Sequence, residues 1–114
     1  MPNVNYQRGR RLEWQVKKDL EADGWHAMRT AGSHGAYDIV AVRDKDDLTE
    51  VKFIQCKSGG KKLNVTKLSN ELWEKSPIQG AVNVVANNKA VYITVELIVK
   101  KHGEGTYTVY PLES

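Results

Sequence analysis

The sequence predicts an α/β domain: six strands in a sheet, a helix on each side, in the order α-β-β-β-α-β-β-β. Three observations lead there. Leu12, Val16 and Leu20 recur every four residues, which places them on one face of a helix. Two stretches rich in β-branched residues, Asp38 to Arg43 and Leu48 to Lys57, flank a polar turn and read as a hairpin. Three further apolar stretches follow, separated by Asn87-Asn88 and His102-Gly103-Glu104-Gly105.

Taken in order, residues 1–7 read as a loose arm and residues 8–23 as the first helix. Gly24 caps that helix, because glycine tolerates the left-handed conformation. Glu13 lies one position from the apolar stripe and borders the buried face. Trp25 to Thr30 reads as a short strand, and Ala31-Gly32-Ser33-His34-Gly35 as a loop. After the hairpin, Ser58 to Leu63 is a basic, glycine-bearing loop. Thr66 to Ser76 reads as a helix, with Leu68 and Leu72 one turn apart and Pro77 ending it. Ala81 to Ala86, Ala90 to Val99 and Thr106 to Tyr110 read as strands. Trp73, Val84, Val91, Ile93 and Val95 belong to the core or to an interface between two copies.

Composition excludes several classes. At 114 residues the chain suits one domain, not two. The longest nearly apolar run, Ala90 to Val99, carries Glu96 and falls far short of the roughly 20 residues a membrane span needs. The arginines Arg8, Arg10 and Arg11 are not followed by an apolar signal-like region. One cysteine, Cys56, excludes a disulfide framework, and His26, His34 and His102 lack zinc-site spacing. An intracellular soluble protein with no membrane partner is expected. The net charge of +3 lies wholly in residues 1–62, concentrated in Arg8, Arg10, Arg11, Lys17, Lys18 and in Lys52, Lys57, Lys61, Lys62. Such clusters suit a polyanion, nucleic acid first.

The stretch from Glu13 to Lys57 carries the chemistry. Pairing Asp38 with Gln55 centres the hairpin between Asp46 and Asp47, inside the polar turn. The rival register, through Glu50-Val51-Lys52, forces both aspartates into a strand, which disfavours them. Alternation puts Gln55 and Lys57 on one face. This set suits phosphodiester hydrolysis with a hard divalent cation, typically Mg²⁺, bound through oxygen. Asp38 is the expected main ligand. Gln55 offers its amide oxygen, Cys56 its backbone carbonyl, and Glu13 a hold on metal-bound water. Lys57 stabilises transition-state charge or orients water. Arg8, Arg10, Arg11, Lys61 and Lys62 are candidate phosphate contacts.

Glu13, then Gly32-Ser33-His34-Gly35-Ala36-Tyr37-Asp38-Ile39-Val40-Ala41, then Ile54-Gln55-Cys56-Lys57-Ser58 resembles the PD-(D/E)xK nuclease superfamily. Within it, the chain is most similar to the archaeal-type Holliday junction resolvases, including viral and phage members. The resemblance implies a restriction-endonuclease-like mixed sheet flanked by helices. It implies a homodimer that cuts opposing strands of a four-way DNA junction with Mg²⁺ or Mn²⁺, leaving 5′-phosphates, in the cytoplasm, nucleoid or a virus-infected host cell. Glu13, Asp38, Gln55 and Lys57 match the catalytic core, Ser33 the loop serine, and Arg29 the arginine before it, a further candidate DNA contact. Tyr37 stands where the superfamily has proline, and Gln55 where the resolvases usually have glutamate. Gln-x-Lys also occurs in restriction-like nucleases. A restriction or repair nuclease on other DNA, or a non-catalytic DNA-binding protein of the same fold, are the alternatives.

Overall fold

The structure is a computed structural model that describes residues 4–30, 35–77, 82–86 and 89–112. The elements are α1 (Val4–Ala22), β1 (His26–Arg29), β2 (Ile39–Lys45), β3 (Leu48–Gly59), α2 (Val65–Lys75), β4 (Val82–Ala86), β5 (Lys89–Lys101) and β6 (Thr108–Pro111). Their order is the one expected.

The first helix starts earlier than expected. The turn from Val4, assigned above to a loose arm, is helical. Once a helix is nucleated, each added residue gains a hydrogen bond at little cost. Gly9 costs about 1 kcal/mol within it, too little to stop propagation. At the other end the expected cap forms. Gly24 has φ of 88°, and the Trp25 N–H donates to the Leu20 carbonyl at 3.0 Å.

The sheet runs β1-β2-β3-β5-β4, with β6 also on β5. β3 and β5 are parallel, and the other pairs are antiparallel. A parallel pair needs a long crossover, which α2 and β4 supply. β4 pairs with Lys89 to Ile93 and β6 with Glu96 to Val99, so the two share one edge of β5.

The β2–β3 hairpin takes the expected register, with Ile39 opposite Ile54 and Lys45 opposite Leu48. Asp46 and Asp47 form a two-residue turn, and Asp46 has φ of 37°. Aspartate tolerates that left-handed conformation better than most residues. β3 continues past Lys57 to Gly59, two residues into the stretch expected to be loop, because its parallel ladder with β5 extends to Lys101.

The two helices lie on opposite faces. Leu12, Val16 and Trp25 pack with Ile39, Ala41, Ile54, Cys56 and Ile98 under α1. Leu72 packs with Val95, Leu97 and Val99 under α2, with Phe53, Tyr37 and Trp73 partly buried beside them. Val95 is thus core and Trp73 packs against it, while the Val84 side chain lies outside the described residues. Burying Leu12, Val16 or Leu72 contributes about 1.5–3 kcal/mol each, well above any helix propensity difference. Asn64 starts α2 by accepting the Lys67 N–H at 3.1 Å, a cap of about 1 kcal/mol.

Candidate active site

Asp38 sits where β2 leaves β3, and its backbone is fixed on both sides. Its N–H donates to the Ile54 carbonyl at 2.7 Å, and its own carbonyl accepts the Thr30 N–H at 2.9 Å. Its Oδ2 accepts the Cys56 N–H at 2.8 Å. The carboxylate thus takes the place of a strand neighbour for β3. Burial raises the Asp38 pKa above its ordinary value. The Cys56 N–H, Lys57 and Arg29 pull the other way without reversing the shift.

Glu13 approaches from α1, next to buried Leu12. Burial raises its pKa, and the Asp38 charge raises it further. Arg29 opposes this, with Nε donating to Glu13 Oε1 at 3.4 Å. Lys17, one helical turn on from Glu13 and so within its reach, pairs instead with Glu21 at 3.1 Å. The buried Cys56 thiol is pushed well above its usual range by burial, then by Asp38 and Glu13, which makes it a poor nucleophile.

Phe53 packs on the α2 side, while Ile54 and Cys56 pack under α1. Alternation therefore assigns Gln55 and Lys57 to the α2 face. The Lys57 charge reaches Asp38. The centre thus gathers at the end of β2, with Asp38 in line, Glu13 from α1 and Lys57 from β3.

Among the described residues no group of three His, Cys, Asp or Glu converges. The oxygen donors are two carboxylates, the Gln55 amide and the Cys56 carbonyl. Both carboxylates carry raised pKa values, from burial and, at Glu13, from the charge of Asp38, and a bound cation would favour their ionised forms. Few protein oxygens suit Mg²⁺, which keeps several of its waters. The residues present fit that ion.

The other candidates separate. Ser33 and His34 lie outside the described residues. Arg29 is drawn to Glu13 and stacks over the Trp14 ring at 5.1 Å from its centre. Arg10 is exposed on α1, and Lys61 and Lys62 are exposed in the turn after β3. Arg8 and Arg11 line a cleft of about 550 Å³ between α1, the end of β3 and the β5–β6 turn.

Sequence reasoning missed the other side of this cleft, Lys100, Lys101 and His102. Arg8 Nη1 lies 2.9 Å from His102 Nδ1. The cleft also holds two acids, each hydrogen-bonded within it. Asp19 accepts from the Tyr107 hydroxyl at 2.5 Å and from Gln15 at 2.9 Å, and Glu104 accepts the Lys101 N–H at 2.9 Å. Arg8, Arg11, Lys100 and Lys101 outnumber these two carboxylates, so the cleft is basic on balance. The available signal was a Lys-Lys-His run closing an apolar strand.

A mixed sheet covered by one helix on each face defines the restriction-endonuclease-like fold class, to which nucleases with the resembled motif belong. Residues 4–109 match the family described as archaeal Holliday junction resolvase (hjc), and the chain belongs to that family. No curated protein and no solved structure matches the chain. By family the protein is a junction-resolving nuclease. Among the described residues no helix is long and apolar enough to cross a membrane.

Proposed function

We propose that the protein is a single-domain, metal-dependent endonuclease that resolves four-way DNA junctions inside the cell, with cellular or viral DNA as substrate. Two copies nick opposing strands, since a twofold dimer matches the twofold character of a junction. The observation that carries the reading is the Asp38 carboxylate held at the end of β2 by the Cys56 N–H, within electrostatic reach of Glu13 and Lys57.

Asp38, the Gln55 amide and the Cys56 carbonyl would hold the ion, Mg²⁺ or Mn²⁺, with Glu13 holding it through its water. When bound, it neutralises phosphate charge and acidifies water. The Cys56 N–H fixes one Asp38 oxygen and leaves the other for ligand work. Arg29 favours the ionised form of Glu13 and restrains its direction. Lys57 brings an ammonium to the phosphate and stabilises charge developing there. A new bond forms from water oxygen to phosphorus and the bond to the 3′ oxygen breaks, which leaves a 5′-phosphate and a 3′-hydroxyl. Ser33, which precedes Asp38 by five positions, remains a catalytic candidate on the family resemblance alone.

Arg8, Arg10, Arg11, Lys61 and Lys62 hold DNA phosphates, and the cleft cations Lys100 and Lys101 extend that surface. No reading helix or ribbon is needed, because recognition is by backbone charge and branch shape. The test is cleavage of a synthetic four-way junction beside linear duplex of the same sequence, in Mg²⁺. Paired nicks on the junction alone support the reading. Equal cutting of duplex assigns a general nuclease. Binding without cutting in Mg²⁺ or Mn²⁺ assigns a DNA-binding protein, with Gln55 the cause.

A further inference from the structure

Trp14 plays no part in the chemistry above, yet it is 44% exposed beside Glu13. Trp25, by contrast, is 4% exposed, and Trp73 packs against the second core cluster. Trp14 belongs to neither core cluster and leaves much of its indole open to solvent. Its surroundings say what it suits. One turn away on α1, at the spacing that makes helix neighbours, lie Arg10, Arg11, Lys17 and Lys18. From β1, Arg29 stacks over the ring at 5.1 Å, and Lys17 Nζ lies 5.4 Å from its centre. A protein-binding patch joins apolar residues to one another. A lone aromatic ringed by cations matches a ligand with a flat π-face and negative charge around it.

We infer that Trp14 is a stacking platform for a nucleobase at the branch point of the DNA, held beside the scissile phosphate. The inference rests on the nuclease reading above and names how that site selects branched DNA. A base inside a continuous duplex must be unstacked before it can meet a side chain, whereas a base where the stack is interrupted is already available. Stacking on indole is therefore favourable at a branch and costly on linear duplex. Arg29 joins the two functions, because the guanidinium over Trp14 also binds Glu13. Lys17 is the movable neighbour. It is held by an ion pair with Glu21 at 3.1 Å and swings to a phosphate as the base enters.

Trp14 is the exposed indole, so its emission reports the event. The full-length protein is titrated in EDTA with a fluorescent four-way junction and with matched duplex. Anisotropy reads binding and tryptophan emission reads stacking. The junction is expected to quench emission strongly and the duplex weakly. Trp14→Phe is expected to abolish the quench and keep junction affinity within about threefold, because the ring survives. Trp14→Ala is expected to weaken junction binding roughly tenfold or more while leaving duplex binding nearly unchanged. Saturating junction binding with no quench overturns the stacking alone, as does equal loss on both DNAs in Trp14→Ala. An emission shift with protein concentration alone puts Trp14 between two copies and also overturns it. No binding of the junction at all overturns the nuclease reading, and the stacking with it.

Discussion

The backbone N–H of Cys56 donates to Oδ2 of Asp38 at 2.8 Å, so the residue that would bind metal also terminates the β2–β3 ladder. Catalytic placement and strand pairing are one interaction. Asp38→Asn keeps an acceptor for that N–H, while Asp38→Ala leaves a buried donor unpaired. We expect both to lose cleavage by at least about a hundredfold, because a main metal ligand is gone. Only Asp38→Ala is expected to lose stability as well, by about 1–3 kcal/mol. Thermal melts of the two variants in EDTA check this.

Acidity is the second consequence. Glu13 and Asp38 have pKa values raised above their ordinary 4.5 and 3.8 in the folded chain. Between those ordinary values and the raised ones, the native state holds more protons than the unfolded state. Metal-free stability therefore falls as pH rises through the raised values, and is greatest below the ordinary ones. Melting in EDTA should show the wild type gaining stability on acidification relative to the double variant Glu13→Gln, Asp38→Asn. The same proton competition should weaken Mg²⁺ binding as pH falls.

In the proposed ligand set Gln55 offers a neutral oxygen, where the resemblance leads one to expect glutamate. Gln55→Glu adds a charge to a centre that holds two carboxylates. We expect the Mg²⁺ concentration for half-maximal cleavage to fall several-fold, since ligand charge sets affinity for hard cations. A metal titration of cleavage rate measures it. An unchanged or higher requirement would remove Gln55 from the ligand set.

The cleft between α1 and the β5–β6 turn predicts a salt effect. Each phosphate contact contributes about 0.9 to the slope of log affinity against log salt. Replacing Lys100 and Lys101 by alanine should flatten that slope by up to about 2 and weaken junction and duplex binding alike. Binding titrations across a salt series test it.

Much of this was legible in the sequence, for local reasons. Turn chemistry favoured a hairpin centre between Asp46 and Asp47 over the rival at Asp44, and that register brings Asp38 to the end of β3. The Leu12, Val16, Leu20 stripe set the buried face of α1 and put Glu13 at its border. What escaped was non-local. Arg8 and His102 are 94 positions apart and meet only because β3 and β5 run parallel. Pairing of Glu13 with Arg29 instead of Lys17 depends on how closely β1 lies against α1. Nothing in the helix periodicity marks Trp14, whose exposure depends on how α1 packs on the sheet.

The central claim is that the centre built on Asp38 hydrolyses the phosphodiester. The most direct test compares wild type with Asp38→Asn on one four-way junction, at equal occupancy by anisotropy, in Mg²⁺. The account predicts paired nicks with 5′-phosphate ends from the wild type and bound, uncut junction from the variant. A variant that cuts at the wild-type rate would contradict it and put the chemistry elsewhere on the molecule.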